Sequence, residues 1–123
     1  MTKQNDYCLT LTTGGKLTHH HLSTERVTVI GRESNCQIIL DTAYREVSRR
    51  HVEIRPLMSR APDGSPLWQA CDLGSANGTY INSQPLKGCQ TLQLGDRLIL
   101  GDNCAEFLFE CQAIAPPPKL NNQ

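Results

Sequence analysis

The sequence contains no apolar run near the roughly 20 residues that a helix needs to cross a bilayer. No leader-like hydrophobic stretch follows the opening Met1-Thr-Lys-Gln-Asn-Asp. The expectation is therefore a cytoplasmic protein without membrane insertion. Its six cysteines (Cys8, Cys36, Cys71, Cys89, Cys104, Cys111) include no Cys-x-x-Cys pair, which argues against a zinc site or a redox motif. With no secretory signal, reduced and mostly buried thiols are expected rather than three disulfides. Net charge is absent as well: twelve Lys and Arg balance twelve Asp and Glu. No long-range field then draws the chain to nucleic acid or to an anionic membrane, and any anion must be held locally. Helical periodicity is also missing, since apolar residues almost nowhere recur at i, i+3, i+4 and i+7.

What is present is a short globular chain. Its 123 residues fit one domain, which should bury about 65% of the surface its extended form exposes. Apolar residues alternate with period two over short segments, predicting strands over 7–12, 16–22, 27–31, 36–40, 52–56, 67–72, 79–82, 91–94, 97–100 and 105–112. Turn chemistry separates them: Gly14-Gly15, Pro62-Asp63-Gly64, Asn77-Gly78, Lys87-Gly88, Gly95-Asp96 and Gly101-Asp102 favour positive φ or tight reversal. Residues 59–66 are polar and proline-bounded, as expected of a flexible surface hairpin. After Cys111 the alternation ends, and Ala115-Pro116-Pro117-Pro118 has the character of a polyproline-II linker. The implied organisation is an N-terminal tail over 1–6, a domain over 7–112, and a Pro-rich tail or linker over 113–123.

Three short patterns fall in loops at strand borders: Gly31-Arg32, Ser48-Arg49-Arg50-His51, and Ser75-Ala76-Asn77-Gly78-Thr79. Binding groups commonly sit on loops carried by a rigid sheet. Between residues 44 and 60, five arginines (Arg45, Arg49, Arg50, Arg55, Arg60) face two glutamates (Glu46, Glu53), a local surplus of three positive charges. A phosphorylated side chain carries about −1.5 to −2 charge and three acceptor oxygens, and is matched by guanidinium forks with one or two short neutral donors. Arg32, Ser48 and Arg49 supply that set. Asn77 offers an amide that both donates and accepts, which suits peptide backbone.

Gly31-Arg32, then Ser48-x-x-His51, then Asn77-Gly78-Thr79 in a strand-rich chain resembles the forkhead-associated (FHA) domain, over about residues 9–111. The resemblance implies an all-β fold, a β-sandwich of two mostly antiparallel sheets with about eleven short strands, whose loops at one apex grip a phosphothreonine in a partner protein. By similarity, Arg32 and Ser48 contact phosphate and Arg49 adds donors. Asn77 holds the ligand backbone, Gly31 allows close loop approach, and Gly78 supports the turn. His51 ties the serine loop to its neighbour as a structural residue. Glu46, Ser34 and Asn35 are placed where residues beyond the phosphate are read, with Lys or Arg tolerated and acid disfavoured at the third position after the phosphothreonine. A pocket for the γ-methyl would favour threonine over serine by about 1 to 3 kcal/mol. One position departs from the family pattern. Ala76 stands where a hydroxyl often helps bind phosphate, so one charged hydrogen bond is missing, and weaker affinity or compensation from Arg49 or Ser75 is expected.

Other chemistries fit less well. A Ser48–His51 hydrolase lacks a G-x-S-x-G elbow, so no enzyme, no cofactor and no catalytic residue is expected. His19-His20-His21 alternate across a strand and converge poorly on one ion, so no metal is expected. The arginines lack interleaved aromatics, so no nucleic-acid partner is expected. Without an obvious apolar stripe, the chain is expected to be a monomer. The alternative on the same fold is an interaction domain that docks partners through a sheet face or edge independently of phosphate.

Overall fold

The computed structural model describes residues 5–113. Eleven strands follow in order: β1 Asn5–Thr13, β2 Lys16–His21, β3 Thr28–Gly31, β4 Ile38–Ile39, β5 Val52–Arg60, β6 Pro66–Asp72, β7 Thr79–Ile81, β8 Gln84–Pro85, β9 Cys89–Thr91, β10 Arg97–Leu100 and β11 Ala105–Ala113. They form a six-stranded sheet in the order β2-β1-β11-β10-β7-β8 and a five-stranded sheet in the order β4-β3-β5-β6-β9. Every pairing among the described residues is antiparallel except β3 with β4. No helix of the described residues is long and apolar enough to cross a membrane.

Alternation explains why the sheets stack. On β1, Leu9 and Leu11 point inward and lie opposite Phe109 and Phe107 of β11, and all four are buried. Inward residues of the other sheet, Ile30, Val52, Ile54, Trp68 and Ala70, close the same core. Tyr7, Trp68 and Phe109 meet with ring centroids 5.1 to 6.1 Å apart, and the Trp68 indole N–H donates to the Ser23 carbonyl at 2.8 Å. This buries the largest side chain without orphaning its polar atom.

Four readings of the sequence need correction or extension. β8 is absent from the sequence reading because two exposed residues, one of them proline, carry no alternation. β9 covers Cys89–Thr91, not 91–94: its side chains are all exposed, while Leu92 lies past the strand as a buried core plug. The 59–66 segment is a surface hairpin as expected, but β5 runs past the expected end at 56 to Arg60, which lies opposite Pro66 and leaves residues 61–65 as the reversal. Finally, Cys71 and Cys89 are disulfide-bonded, where free thiols were expected. They are opposite one another in the β6–β9 register with Cα atoms 4.1 Å apart, a proximity that spacing along the chain cannot reveal. Cys8, Cys36, Cys104 and Cys111 are free, the first two buried.

The paired strands also reach beyond 7–112, because Asn5 and Asp6 pair with Ala113 and Gln112. The remainder of both expected tails, 1–4 and 114–123, lies outside the described residues.

Candidate functional site

Strand direction brings one set of loops to a common apex. β3 ends there at Gly31, β5 begins at Val52, β6 ends at Asp72, β7 begins at Thr79, and the β10–β11 turn follows Leu100. Backbone bonds join these loops across the apex: Arg32 N–H to the Ser48 carbonyl (3.2 Å), Glu33 N–H to that of Arg49 (3.0 Å), Leu73 N–H to that of His51 (2.9 Å), and Gly101 N–H to that of Gly78 (2.9 Å). The loops carrying Gly31-Arg32, Ser48-Arg49 and Asn77-Gly78 are thus neighbours in space.

Gly31 sits where two of them touch. A Cβ there would lie 2.1 Å from the carbonyl oxygen of Arg49 and 2.7 Å from its carbon, so only glycine lets the chains approach this closely. Gly78 has φ near 86°, the left-handed turn conformation that glycine adopts without strain.

His51 is fully buried. Its Nδ1 accepts the Ser48 backbone N–H at 3.0 Å, and its Nε2 lies 2.8 Å from the Gly78 carbonyl oxygen. Because Ser48 must donate, Nδ1 is the bare nitrogen and Nε2 carries the proton to Gly78. Burial lowers its pKa, against smaller opposing effects from Gly78 and Asp72, so the neutral ring is the stable form. Both ring nitrogens are committed to backbone, and neither bonds the Ser48 hydroxyl. The ring is an internal strut, with nothing left for proton transfer.

The Ser48 hydroxyl accepts the Ala76 backbone N–H at 3.1 Å, which leaves its own proton to donate. Arg32 is half-buried, and its Nε donates to the Val47 carbonyl. Its two terminal nitrogens make no hydrogen bond among the described residues, so the fork is anchored at its base. Asn77 is exposed and donates Nδ2–H to the Glu46 carbonyl at 3.1 Å, which fixes the amide with its oxygen available as an acceptor. Glu46 is itself tied down, its Oε1 accepting the Asp102 N–H at 2.8 Å. Ser34 and Asn35 are exposed in the loop after Arg32.

The positive charge is distributed more narrowly than its sequence density suggests. Arg45, Arg49 and Arg50 are exposed and join no ion pair among the described residues. Arg55 points away along β5, paired with Glu53, and Arg60 lies at the far end of the same strand. The apical set is therefore Arg32, Arg45, Arg49 and Arg50.

Sequence reasoning missed Asp72 as the organiser of the third loop. Its carboxylate accepts the Ser75 and Thr79 hydroxyls, both at 2.6 Å, and the N–H groups of Gly74 (2.9 Å) and Ser75 (3.0 Å). Burial pushes its pKa up, but the hydroxyl and backbone donors outweigh that and leave it lowered. The signal was available: an aspartate at a strand end followed by Leu73-Gly74-Ser75 favours turns of this kind. The Ser75 hydroxyl is spent here, donating to Asp72 and accepting the Gly78 N–H at 3.1 Å. It is not free to replace the hydroxyl missing at Ala76.

The three histidines of β2 lie outside the apex. His19 and His21 share the outer face, while His20 turns toward Phe107, its ring centroid 6.2 Å away.

Comparison with known proteins bears on this geometry. A family model described as the FHA domain matches residues 28–101, which includes all three apical patterns. The oxoglutarate dehydrogenase inhibitor of Corynebacterium efficiens is 38% identical over 81 residues, covering 66% of this chain and 50% of that protein. The chain thus spans about half the length of this relative. Among solved structures, an FHA domain from work on phosphothreonine-dependent FHA domain interactions is 30% identical with a TM-score of 0.67, covering 90% of this chain and 98% of that one. The yeast Dun1 FHA domain, in complex with a doubly phosphorylated peptide derived from Rad53 SCD1, is 28% identical with a TM-score of 0.71, covering 96% of this chain and 82% of that one.

Proposed function

This chain belongs to the FHA domain family, and from that premise we propose that it is a non-catalytic module that binds phosphothreonine peptides in partner proteins through its apical loops. In this reading Arg32, Ser48 and Arg49 hold the phosphate, and Asn77 holds the ligand backbone. Glu46, Ser34 and Asn35 meet residues beyond the phosphate, while Gly31, His51 and Gly78 keep the loops in place. The observation that carries it is the pair of pre-set donors: the Arg32 fork fixed at Nε, and the Ser48 hydroxyl whose oxygen is held by the Ala76 N–H. Donors already held in place lose little freedom when the ligand arrives.

The relative named as an oxoglutarate dehydrogenase inhibitor supports a regulatory, cytoplasmic setting in which binding, not chemistry, is the output. We place the binding unit at residues 7–112 and take it as monomeric, with phosphoprotein partners and no nucleic acid. Neutral overall charge supports this.

Ala76 and the committed Ser75 hydroxyl favour one second reading, phosphate-independent docking on the same fold. The two separate in fluorescence anisotropy with an oriented phosphothreonine peptide library, alongside phosphoserine and unphosphorylated versions. Phosphothreonine-only binding that is lost in Arg32→Ala and Ser48→Ala supports the phosphate reader. Binding indifferent to phosphate and to Arg32 supports docking and rejects it.

A further inference from the structure

We propose that Cys8, His19 and Glu110 form a binding site for a borderline-soft divalent metal ion of the zinc class, on the outer face of the six-stranded sheet.

Three neighbouring strands build this cluster. In the β2–β1–β11 registers, Cys8 lies opposite both His21 and Glu110, and Thr10 lies opposite His19. Side chains two apart on a strand share a face, so His19 and His21 stand beside Cys8 and Thr10. This is the face away from the core, since Leu9 and Leu11 fill the inner one.

Cys8 is nevertheless 0% exposed and Thr10 only 5%. A fully buried thiol on the outward face of a sheet, roofed by polar side chains, differs from an ordinary core cysteine, which packs among apolar groups. The Cys8 Sγ, a His19 ring nitrogen and a Glu110 carboxylate oxygen lie within 4.8 Å of one another. His19 Nδ1 and Glu110 Oε2 are 3.8 Å apart. Bonds of roughly 2.0 to 2.3 Å to a tetrahedral zinc ion hold donors about 3.5 Å from one another, so side-chain rotations suffice to close the shell.

Sulfur, imidazole and carboxylate together select zinc over the hard cations magnesium and calcium, which take oxygen. The fourth position has a neighbour in reserve. His21 Nδ1 contacts the Asp6 carboxylate, the arrangement by which a carboxylate orients an imidazole and leaves its Nε2 for metal.

Without metal, the Thr10 hydroxyl links the cluster, 2.8 Å from His19 Nδ1 and donating to Glu110, with only a 3.6 Å contact to Cys8. Metal would replace this relay by direct bonds from His19 and Glu110. The cluster is separate from the apex: Glu110 lies five positions along β11 from Ala105, about 17 Å at the rise of a strand.

The test is titration of the untagged, folded protein with Co2+ followed by Zn2+, reading thiolate-to-cobalt charge-transfer absorption and the thermal unfolding midpoint. The site predicts one equivalent of Co2+ with that band, its displacement by Zn2+, and a raised midpoint. Cys8→Ser should abolish the band. His19→Ala and the milder Glu110→Gln, each checked for folding by circular dichroism, should weaken Co2+ binding at least about tenfold. No band in the wild type, a band that survives Cys8→Ser, or unchanged affinity in Glu110→Gln would each overturn the proposal.

Discussion

The apex and the outer face of the β2–β1–β11 sheet both gather polar side chains, but they hold them in opposite ways. On the sheet face the ladder satisfies the backbone, so Cys8, Thr10, His19 and Glu110 are left to bond one another. At the apex the backbone is irregular, and its N–H and C=O groups depend on side chains: His51 serves Ser48 and Gly78, and Asp72 serves Gly74 and Ser75. No buried side-chain nitrogen or oxygen among the described residues is left without a partner. Internal groups carry the structural duty there, while Arg49 and Asn77 are exposed and the Ser48 hydroxyl keeps its proton to donate. A binding surface on loops thus needs two populations of polar residues, one consumed to fix the loops and one left over.

The sharpest way to break this contrast is to separate the loops sterically. In Gly31→Val the new Cβ would overlap the Arg49 carbonyl, 2.1 Å away, and neither backbone segment can move without dragging the Arg32 or Ser48 donor. We expect a loss of about 4 kcal/mol in urea unfolding, with phosphopeptide binding abolished in whatever remains folded. The outer-face cluster, on other strands, should keep its near-native amide chemical shifts in that folded fraction.

A smaller effect is expected from the consumed population itself. Asp72→Ala removes an acceptor of four hydrogen bonds and strands the buried Thr79 hydroxyl, at a cost of about 2 to 3 kcal/mol. The residue touches no ligand in our reading, yet peptide affinity should fall as well, because Ser75 and Gly78 lose their fixed positions. Wild-type affinity in a destabilised Asp72→Ala protein would show that the 73–78 loop does not position Asn77.

The same division explains what was legible in the sequence. The residues left over are recognisable, because arginine, serine and asparagine at strand borders in a fixed order carry chemistry at short range: Arg32, Ser48, Arg49 and Asn77 were all named from it. The consumed population is less visible. Asp72 acts on residues within seven positions and could have been found from turn chemistry. The Cys71–Cys89 bond and the Cys8, His19 and Glu110 cluster rest on strand register, with Thr10 and Glu110 a hundred positions apart. Strands such as β1 and β10 were legible for the reason that they bury apolar residues; β8 and β9 bury none.

The mildest perturbation is acid, and its sign follows from His51. Burial holds the folded pKa below the ordinary value of 6.5, so between those two values the unfolded chain binds the proton that the folded one refuses. Stability contributed by the neutral ring is present in full above pH 6.5 and is lost as pH falls from there toward the folded pKa. Asp72, also lowered, from 3.8, adds a second loss that begins only below that value. Protonation at Nδ1 would set two donors, the ring and the Ser48 N–H, against each other, so the Ser48 loop should loosen before the sheets do. Urea midpoints measured from pH 7.5 down to about 5 should decline in wild type and stay flatter in His51→Gln. Hydrogen-exchange protection, corrected for the intrinsic fall of the rate with pH, should drop first at Ser48, whose N–H donates to the ring. A wild-type stability that does not change across this window would mean that His51 carries a proton in the folded state, and its hydrogen bond from Ser48 would have to be reassigned.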